Sequence, residues 1–168
     1  MKFQKLTIHN IASIEDAVID FEAQPLANSE VFLITGKTGS GKSTILDAIC
    51  LALFANTPRH EGTNMQRNTS DNDNITIKDP RQLMRRNTGE AFVELTFVGN
   101  NDVPYKATWS IHRGHNKAGN KIQSKDWTLE NLSTGNILSK DGEIKAEIAQ
   151  AIGLDFSQFS RTTMLAKG

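Results

Sequence analysis

Residues 36–43 read Gly36-Lys37-Thr38-Gly39-Ser40-Gly41-Lys42-Ser43, with Thr44 next in line. The spacing is G-x-x-x-x-G-K-[S/T], and its flanks suit a strand–loop–helix unit. Before the loop, Val31-Phe32-Leu33-Ile34-Thr35 is a continuous apolar run, as in a strand buried on both faces. After it, residues 43–55 are strongly apolar, with Ile45, Leu46, Ile49 and Leu53 at helical spacing. Glycines let backbone N–H groups turn inward around a phosphate without side-chain clash. The following helix aims the positive end of its dipole at the same anion. Lys42 is placed to neutralise the β- and γ-phosphates of a nucleoside triphosphate, Ser43 to put its hydroxyl on Mg²⁺, and Thr44 to donate to the α-phosphate. The stretch predicts an α/β phosphate-binding fold. It does not choose among the many activities built on that fold.

Working outward, residues 3–9 and 15–22 alternate with period two and read as strands joined by a short polar connection. From about Thr57 to Asp79 the chain is rich in Asn, Thr, Asp and Gly, which reads as a long mobile loop. Asp79 and Pro80 suit the cap and first position of a helical turn over 80–86. Residues 90–98, 104–113 and 125–132 alternate (Phe92, Leu95 and Phe97; Tyr105, Ala107, Trp109 and Ile111) and predict an antiparallel meander. Ile144, Ile148 and Ile152 lie at i, i+4 and i+8 in an amphipathic helix over 141–152 ended by Gly153. Asp155 suits the cap of a further helix through Phe156, Phe159 and Thr163. The fold class read from this pattern is α/β, with a mixed parallel core sheet, an antiparallel meander and flanking helices, all in one lobe over residues 1–168.

Composition narrows the function classes. The chain has 168 residues, 38% hydrophobic and 23% charged, which suits one globular domain. Lys plus Arg balance Asp plus Glu at 19 each, so any nucleic-acid contact has to come from a local patch. Cys50 is the single cysteine, which excludes an internal disulfide and suits a reducing, cytoplasmic setting. No apolar run approaches the ~20 residues of a membrane helix, so no membrane partner is expected.

Several segments, in order, resemble the SbcC family of bacterial DNA-repair exonuclease subunits, which are similar to SMC proteins. They are Asn10-Ile11-Ala12-Ser13, then Ile19-Asp20-Phe21, then the phosphate loop with Thr38 where SMC-type relatives carry Asn, then Leu46-Asp47-Ala48-Ile49. Leu53-Phe54-Ala55-Asn56-Thr57-Pro58-Arg59 follows, and then Leu83-Met84-Arg85-Arg86-Asn87-Thr88-Gly89-Glu90 leads into a strand of the type A-x-V-E-L-x-F. Trp109 and Arg113 lie on the next strand, and the chain closes with Gly153-Leu154-Asp155-Phe156-Ser157-Gln158-Phe159-Ser160-Arg161 and Met164-Leu165-Ala166. The likeness covers essentially the whole chain. Its closing block and the Arg85-to-Glu90 block are more specific than the phosphate loop.

The resemblance implies the N-terminal half of an ABC-type ATPase head, bound to ATP and Mg²⁺. Gly36, Lys37, Thr38, Gly39, Ser40, Gly41, Lys42, Ser43 and Thr44 would form the nucleotide site with Ser13, and Ser43 would be the Mg²⁺ ligand. The implied partners are a C-terminal half-head reached through a long coiled coil, a second head across two ATP molecules, an SbcD-type nuclease and double-stranded DNA ends. The implied setting is DNA repair, replication and recombination at the nucleoid. No heptad run is present, so the coil is expected outside this chain, which reads as an excised or split piece.

Two positions depart from the family pattern. Ala12 stands where many relatives have a basic residue that touches the nucleotide. Lys167 stands at the expected position of the Q-loop glutamine, and a charged lysine cannot ligate Mg²⁺. Either the homologue is altered there or Lys167-Gly168 belong to an artificial junction.

Elements of a complete site are absent, and the look-alikes read as ordinary structure. Val18-Ile19-Asp20-Phe21-Glu22 echoes a Walker B strand but precedes the phosphate loop and alternates like an edge strand. Leu132-Ser133-Thr134-Gly135 suits a turn after a strand, and Leu138-Ser139-Lys140-Asp141-Gly142-Glu143 suits the N-terminal cap of the helix that follows. His112 and His115 lack the cysteines or carboxylates of a metal site. Arg113, Lys117, Lys121 and Lys125 surround one glycine-containing loop, which reads either as a solvated hairpin tip or as a contact to a DNA phosphate backbone. A small-molecule kinase and a transporter nucleotide-binding domain are the alternative functions. The first would need an arginine-rich lid, and the second a signature and Walker B within a chain of about this length.

Overall fold

The computed structural model describes residues 1–22, 42–57 and 79–165; the side chains of Lys42, Ser43 and residues 162–165 are outside that description. Among the described residues six strands form one sheet in the order β2-β1-β3-β4-β5-β6, every neighbouring pair antiparallel. They are β1 (Lys2–Ile11), β2 (Ile14–Asp20), β3 (Glu90–Val98), β4 (Pro104–His112), β5 (Asp126–Asn131) and β6 (Ile137–Leu138). The helices are α1 (Lys42–Phe54), α2 (Asp141–Ile152) and α3 (Phe156–Leu165), with a 3₁₀ turn at Pro80–Leu83. The antiparallel part is the one expected from alternation. The parallel core strand expected at 31–35 and nearly all of the polar loop expected from 57 to 79 lie outside the described residues.

Period-two patterning sets the sheet's two faces. Ala91, Val93, Leu95 and Phe97 of β3 oppose Ile111, Trp109, Ala107 and Tyr105 of β4, and all are buried. On β1, Leu6 and Ile8 pair with Leu95 and Val93 on the same face, and on β5 Trp127 and Leu129 pair with Trp109 and Ala107. Phe97 stacks on Tyr105 with ring centroids 5.4 Å apart. The other face carries half-buried residues such as Glu94, Thr96, Lys106, Thr108 and Glu130, with Lys106 3.5 Å from Glu130. An antiparallel sheet with one packed face and one wetted face gives that alternation.

Helix α1 fills the packed face. Ala48 through Phe54 are buried without a break, so little of the second half of this helix faces solvent. Cys50 lies fully within this core, as its place in the apolar stretch predicts. The Trp127 indole N–H donates to the Ala52 carbonyl at 2.9 Å, which ties the end of α1 to β5. Helix α2 adds Ile144, Ile148 and Ile152 to the core, and the Tyr105 hydroxyl donates to Glu147 of α2 at 2.7 Å. Burial and then the Glu147 hydrogen bond hold the Tyr105 pKa above the ordinary tyrosine value, so the hydroxyl stays a donor at neutral pH. Phe54 meets Phe156 and Phe159 of α3 at centroid distances of 5.6 and 5.4 Å.

The helix ends follow local chemistry. Gly153 closes α2 in the left-handed region at φ 72. Asp155 and Gln158 form a reciprocal cap on α3: the Gln158 N–H donates to Asp155 Oδ1 at 2.8 Å and the Asp155 N–H donates to Gln158 Oε1 at 3.0 Å. One sequence reading needs correction, and two details went unread. The turn expected over 80–86 stops at Leu83, because Met84 becomes extended and bridges Ile11. The N-cap of α2 is Lys140, without a side-chain cap bond; Asp141 and Glu143 supply first-turn negative charge instead. The two-residue β6 escaped notice because it is too short to show alternation.

Asp79 caps the 3₁₀ turn. It accepts the Arg81 N–H at 2.9 Å and pairs with the Arg81 guanidinium at 2.7 Å. Burial pushes the Asp79 carboxyl upward, but the hydrogen bonds and charge of Arg81, with Lys125 adding, outweigh it and leave the pKa below 3.8. A carboxylate with a lowered folded pKa contributes stability above its unfolded value and loses it as the pH falls through the folded value. Asp79→Asn should therefore cost about 1 kcal/mol at neutral pH. Thermal melts of variant and parent should converge as the pH drops below 3.8.

Candidate functional site

Helix α1 starts at Lys42, directly after the glycine-rich loop, so the helix N-terminus meets the end of that loop. The first N–H groups of a helix lack intrahelical partners and can donate to an anion. Thr44, on the first turn, is buried. Residues Gly36, Lys37, Thr38, Gly39, Ser40 and Gly41 lie outside the described residues, as does Lys167.

On the sheet's edge, the β1–β2 turn meets the Leu83–Glu90 segment. The Ala12 N–H donates to the Leu83 carbonyl at 2.6 Å, and the Arg85 N–H donates to the Asn10 carbonyl at 2.8 Å. Ser13, expected beside the nucleotide, is exposed, and its carbonyl accepts from Arg85 Nη1 at 3.0 Å. A groove of about 590 Å³ opens there, lined by residues that include His9, Asn10, Arg85, Arg86, Thr88 and Glu90. His9 Nδ1 lies 2.7 Å from Asp16 and its Nε2 3.8 Å from Glu90. The groove wall is polar and carries both signs of charge, so it suits hydrogen bonding more than simple anion capture. Sequence reading did not foresee this groove. The positive φ of Asn10 had a signal, since Asn tolerates that region, but the φ of 50 at Ala12 had none.

The basic loop is built from the β4–β5 connection. The Gly114 N–H donates to the Lys121 carbonyl at 2.9 Å, the Asn120 side chain donates to the Gly114 carbonyl at 2.7 Å, and Arg113 bridges to Ile122. Arg113 Nη1 donates to the Asn120 carbonyl at 3.1 Å, so this guanidinium braces the loop. Lys125 pairs with Asp141 of α2 at 2.9 Å. Lys117 and Lys121 are exposed. The Arg113 N–H donates to the Gly89 carbonyl at 2.7 Å, joining this loop to the groove.

The look-alike motifs fall where ordinary structure was expected. Asp20 ends the edge strand β2. Leu132–Gly135 makes the β5–β6 turn, with Asn131 Oδ1 accepting from the Ser133 and Thr134 N–H groups and Gly135 at φ 79. Among the described residues no group of His, Cys, Asp and Glu could hold a metal ion, and no helix is long and apolar enough to cross a membrane.

A family model described as an AAA domain matches residues 5–167. The chain belongs to that family. This AAA domain is 39% identical over 171 residues to the SbcC subunit of the SbcCD nuclease of Pseudomonas aeruginosa, covering 99% of the chain and 14% of that relative. Against the SbcC subunit of Rhodobacter capsulatus it is 34% identical over 172 residues, covering 100% of the chain and 14% of the relative. The DNA double-strand break repair Rad50 ATPase of Saccharolobus solfataricus is 26% identical over 86% of the chain. The chain thus spans a small part of the curated relatives, and its likeness to the SbcC family is as the quoted motifs predicted. A solved structure titled as the recombination mediator protein RecF-ATP in the RecFOR pathway matches with a TM-score of 0.55 and 19% identity. It covers 86% of this chain and 29% of that one, and shows the expected α/β fold.

Gly89 stands where the AAA domain's groove meets the basic loop. A Cβ there would fall on the Asn116 carbonyl, which is backbone and cannot swing away. Gly89→Ala should destabilise the domain by roughly 1–3 kcal/mol through overpacking, read from the midpoint of urea unfolding.

Proposed function

We propose that this AAA domain is the ATP-binding N-terminal lobe of an SbcC-type subunit of an SbcCD nuclease. In that reading the lobe pairs with a C-terminal half-head, and two such heads close on ATP. ATP binding and hydrolysis then control head dimerisation and the access of double-stranded DNA ends to an SbcD-type nuclease. The observation that carries the proposal is the 39% identity to an SbcC subunit across 99% of the chain, phosphate loop included. The RecF structure is one of a RecF-ATP complex, which supports the same ligand here.

Each residue then has a role set by its chemistry. Gly36, Gly39 and Gly41 let the loop between strand and helix close on phosphate oxygens, and Lys37, Thr38 and Ser40 add backbone N–H groups. Lys42 acts as a point charge for the β- and γ-phosphates. Ser43 would hold Mg²⁺, and that ion would neutralise charge developing on the transferred phosphoryl group. Thr44 and the N-terminus of α1 face the α-phosphate, with Ser13 completing the nucleotide's surroundings. Lys117 and Lys121 are the basic residues best placed to meet a DNA backbone, because Arg113 and Lys125 already serve contacts inside the lobe. Hydrolysis needs a carboxylate to orient the attacking water, and this lobe's look-alike Asp20 is on an edge strand. The lobe alone therefore binds ATP without turnover.

Lys42→Ala should weaken ATP binding by about 100-fold or more, measured by calorimetry, while the melting temperature changes little. Phosphate release by the isolated lobe should stay at background and appear when the C-terminal half-head is added. A Lys42-dependent rate from the lobe alone, equal to that of the assembled head, would overturn the half-site reading.

A further inference from the structure

The connection from β4 to β5 gathers charge of one sign. From Arg113 to Lys125 the chain carries Arg113, Lys117, Lys121 and Lys125 and no acidic residue, although basic and acidic residues balance at 19 each over the whole chain. Lys117 and Lys121 are exposed, and neither has an ion pair among the described residues. A patch of that kind attracts a polyanion.

The same loop is tied along its length. The Asn116 N–H donates to the Arg113 carbonyl at 2.9 Å, the Lys117 N–H to the Gly114 carbonyl at 3.2 Å and the Gly114 N–H to the Lys121 carbonyl at 2.9 Å. Asn120 is the hub. Its N–H donates to the Lys117 carbonyl at 3.0 Å, its side chain to the Gly114 carbonyl at 2.7 Å, and its own carbonyl accepts from Arg113 Nη1 at 3.1 Å. Arg113 and Asn120 are half-buried beneath the exposed residues 115–119. His115 and Asn116 hold left-handed backbones at φ 53 and φ 55, with the Gly89 backbone against the Asn116 carbonyl. Residues other than glycine stay in that region only where their surroundings hold them.

We infer that Arg113 is a positioning residue for the DNA-contacting loop, acting through Asn120 on Lys117 and Lys121. The guanidinium fixes the Asn120 carbonyl. The Asn120 N–H in turn fixes the Lys117 carbonyl, and Lys121 follows Asn120 directly in the chain. The two lysines therefore leave the loop from a set backbone, and the cost of ordering them is met before a ligand arrives. The ligand class is the phosphate backbone of duplex DNA, and the inference rests on the proposed reading of Lys117 and Lys121. Arg113 itself touches no phosphate.

The test is binding of a fluorescently labelled, blunt-ended DNA duplex to the intact protein, followed by anisotropy across a KCl series. Lys117→Ala and Lys121→Ala should each weaken binding and flatten the slope of log K against log salt by about 0.9, as for one lost phosphate contact. Arg113→Ala should raise Kd roughly tenfold at every salt concentration with the parent's slope, because it removes order and no phosphate contact. Arg113→Gln, which keeps a side-chain donor without the charge, should recover most of the affinity. Asn120→Ala, a neutral change, should also weaken binding with the slope unchanged, and combining it with Arg113→Ala should lose less than the two losses together. A slope flattened by about 0.9 in Arg113→Ala would make Arg113 a phosphate contact and overturn the inference. A merely structural role would lower the melting temperature while leaving the Kd of the folded fraction untouched, and that result overturns it too. If Arg113→Ala does not fold, Asn120→Ala and Arg113→Gln carry the same comparison. Lys145→Ala removes an exposed charge from α2 and should stay within about twofold of the parent. Should neither lysine of the loop matter, or Lys145 matter equally, the DNA-contact reading itself fails. Should Lys117 and Lys121 matter while Arg113 and Asn120 do not, only the positioning inference fails.

Discussion

Helix α1 has to be enclosed, and the rest of the domain is arranged to enclose it. Its residues from Ala48 to Phe54 are buried one after another, so no rotation of the helix could leave this half on a surface. The six-stranded sheet covers one side with Leu6, Ile8, Val93, Leu95, Trp109 and Trp127, and α2 and α3 bring further apolar side chains against the helix. The Trp127 N–H fixes the far end through the Ala52 carbonyl. A helix held along its length cannot slide, so its N-terminus at Lys42 is a fixed point. That is the mechanical requirement for a backbone anion site, whose dipoles must be set before the ligand arrives.

The second organising feature is the seam between the β1–β2 turn and the Leu83–Glu90 segment. Backbone hydrogen bonds at Ala12 and Arg85 join two stretches far apart in sequence. The same segment passes at Gly89 into contact with Arg113 and Asn116 of the basic loop. One short stretch of chain therefore borders both the turn carrying Ser13 and the loop carrying Lys117 and Lys121. Packed interfaces of this kind are stiff, because a displacement at one carbonyl has to be taken up by its neighbours. The Arg85-to-Glu90 block is one of the more specific parts of the SbcC resemblance, and this seam is a physical reason for its residue types. Arg85 reaches the Ser13 carbonyl, and a glycine is needed where another backbone passes.

Much of the fold was legible along the chain. The strands β3, β4 and β5 alternate clearly, because one of their faces is packed and the other is wetted. Helix α2 showed its isoleucines at one face and its glycine stop, and α3 its aspartate cap, for equally local reasons. The turn at Pro80–Leu83 was visible from Asp79 and Pro80, but its length was not, since the bridge of Met84 to Ile11 is a contact between distant segments.

For the candidate site, the amino-acid sequence by itself determined the G-x-x-x-x-G-K-[S/T] spacing at residues 36–43, the helix that follows it and the family likeness. Those rest on residue type and short spacing, which local chemistry reads directly. Only the tertiary structure decided which basic residues are committed. Arg113 braces its loop and Lys125 pairs with Asp141, whereas Lys117 and Lys121 stay exposed, though all had looked alike as charges around one loop. It also decided that Ala12 takes a left-handed backbone and that Arg85 reaches Ser13. The partners in both cases lie 71 and 72 positions away in the chain, so no local pattern could carry the information. Hydrogen bonds of that span are set by how the sheet's edge and the connecting segment pack, and a strained turn declares itself only where that packing holds it.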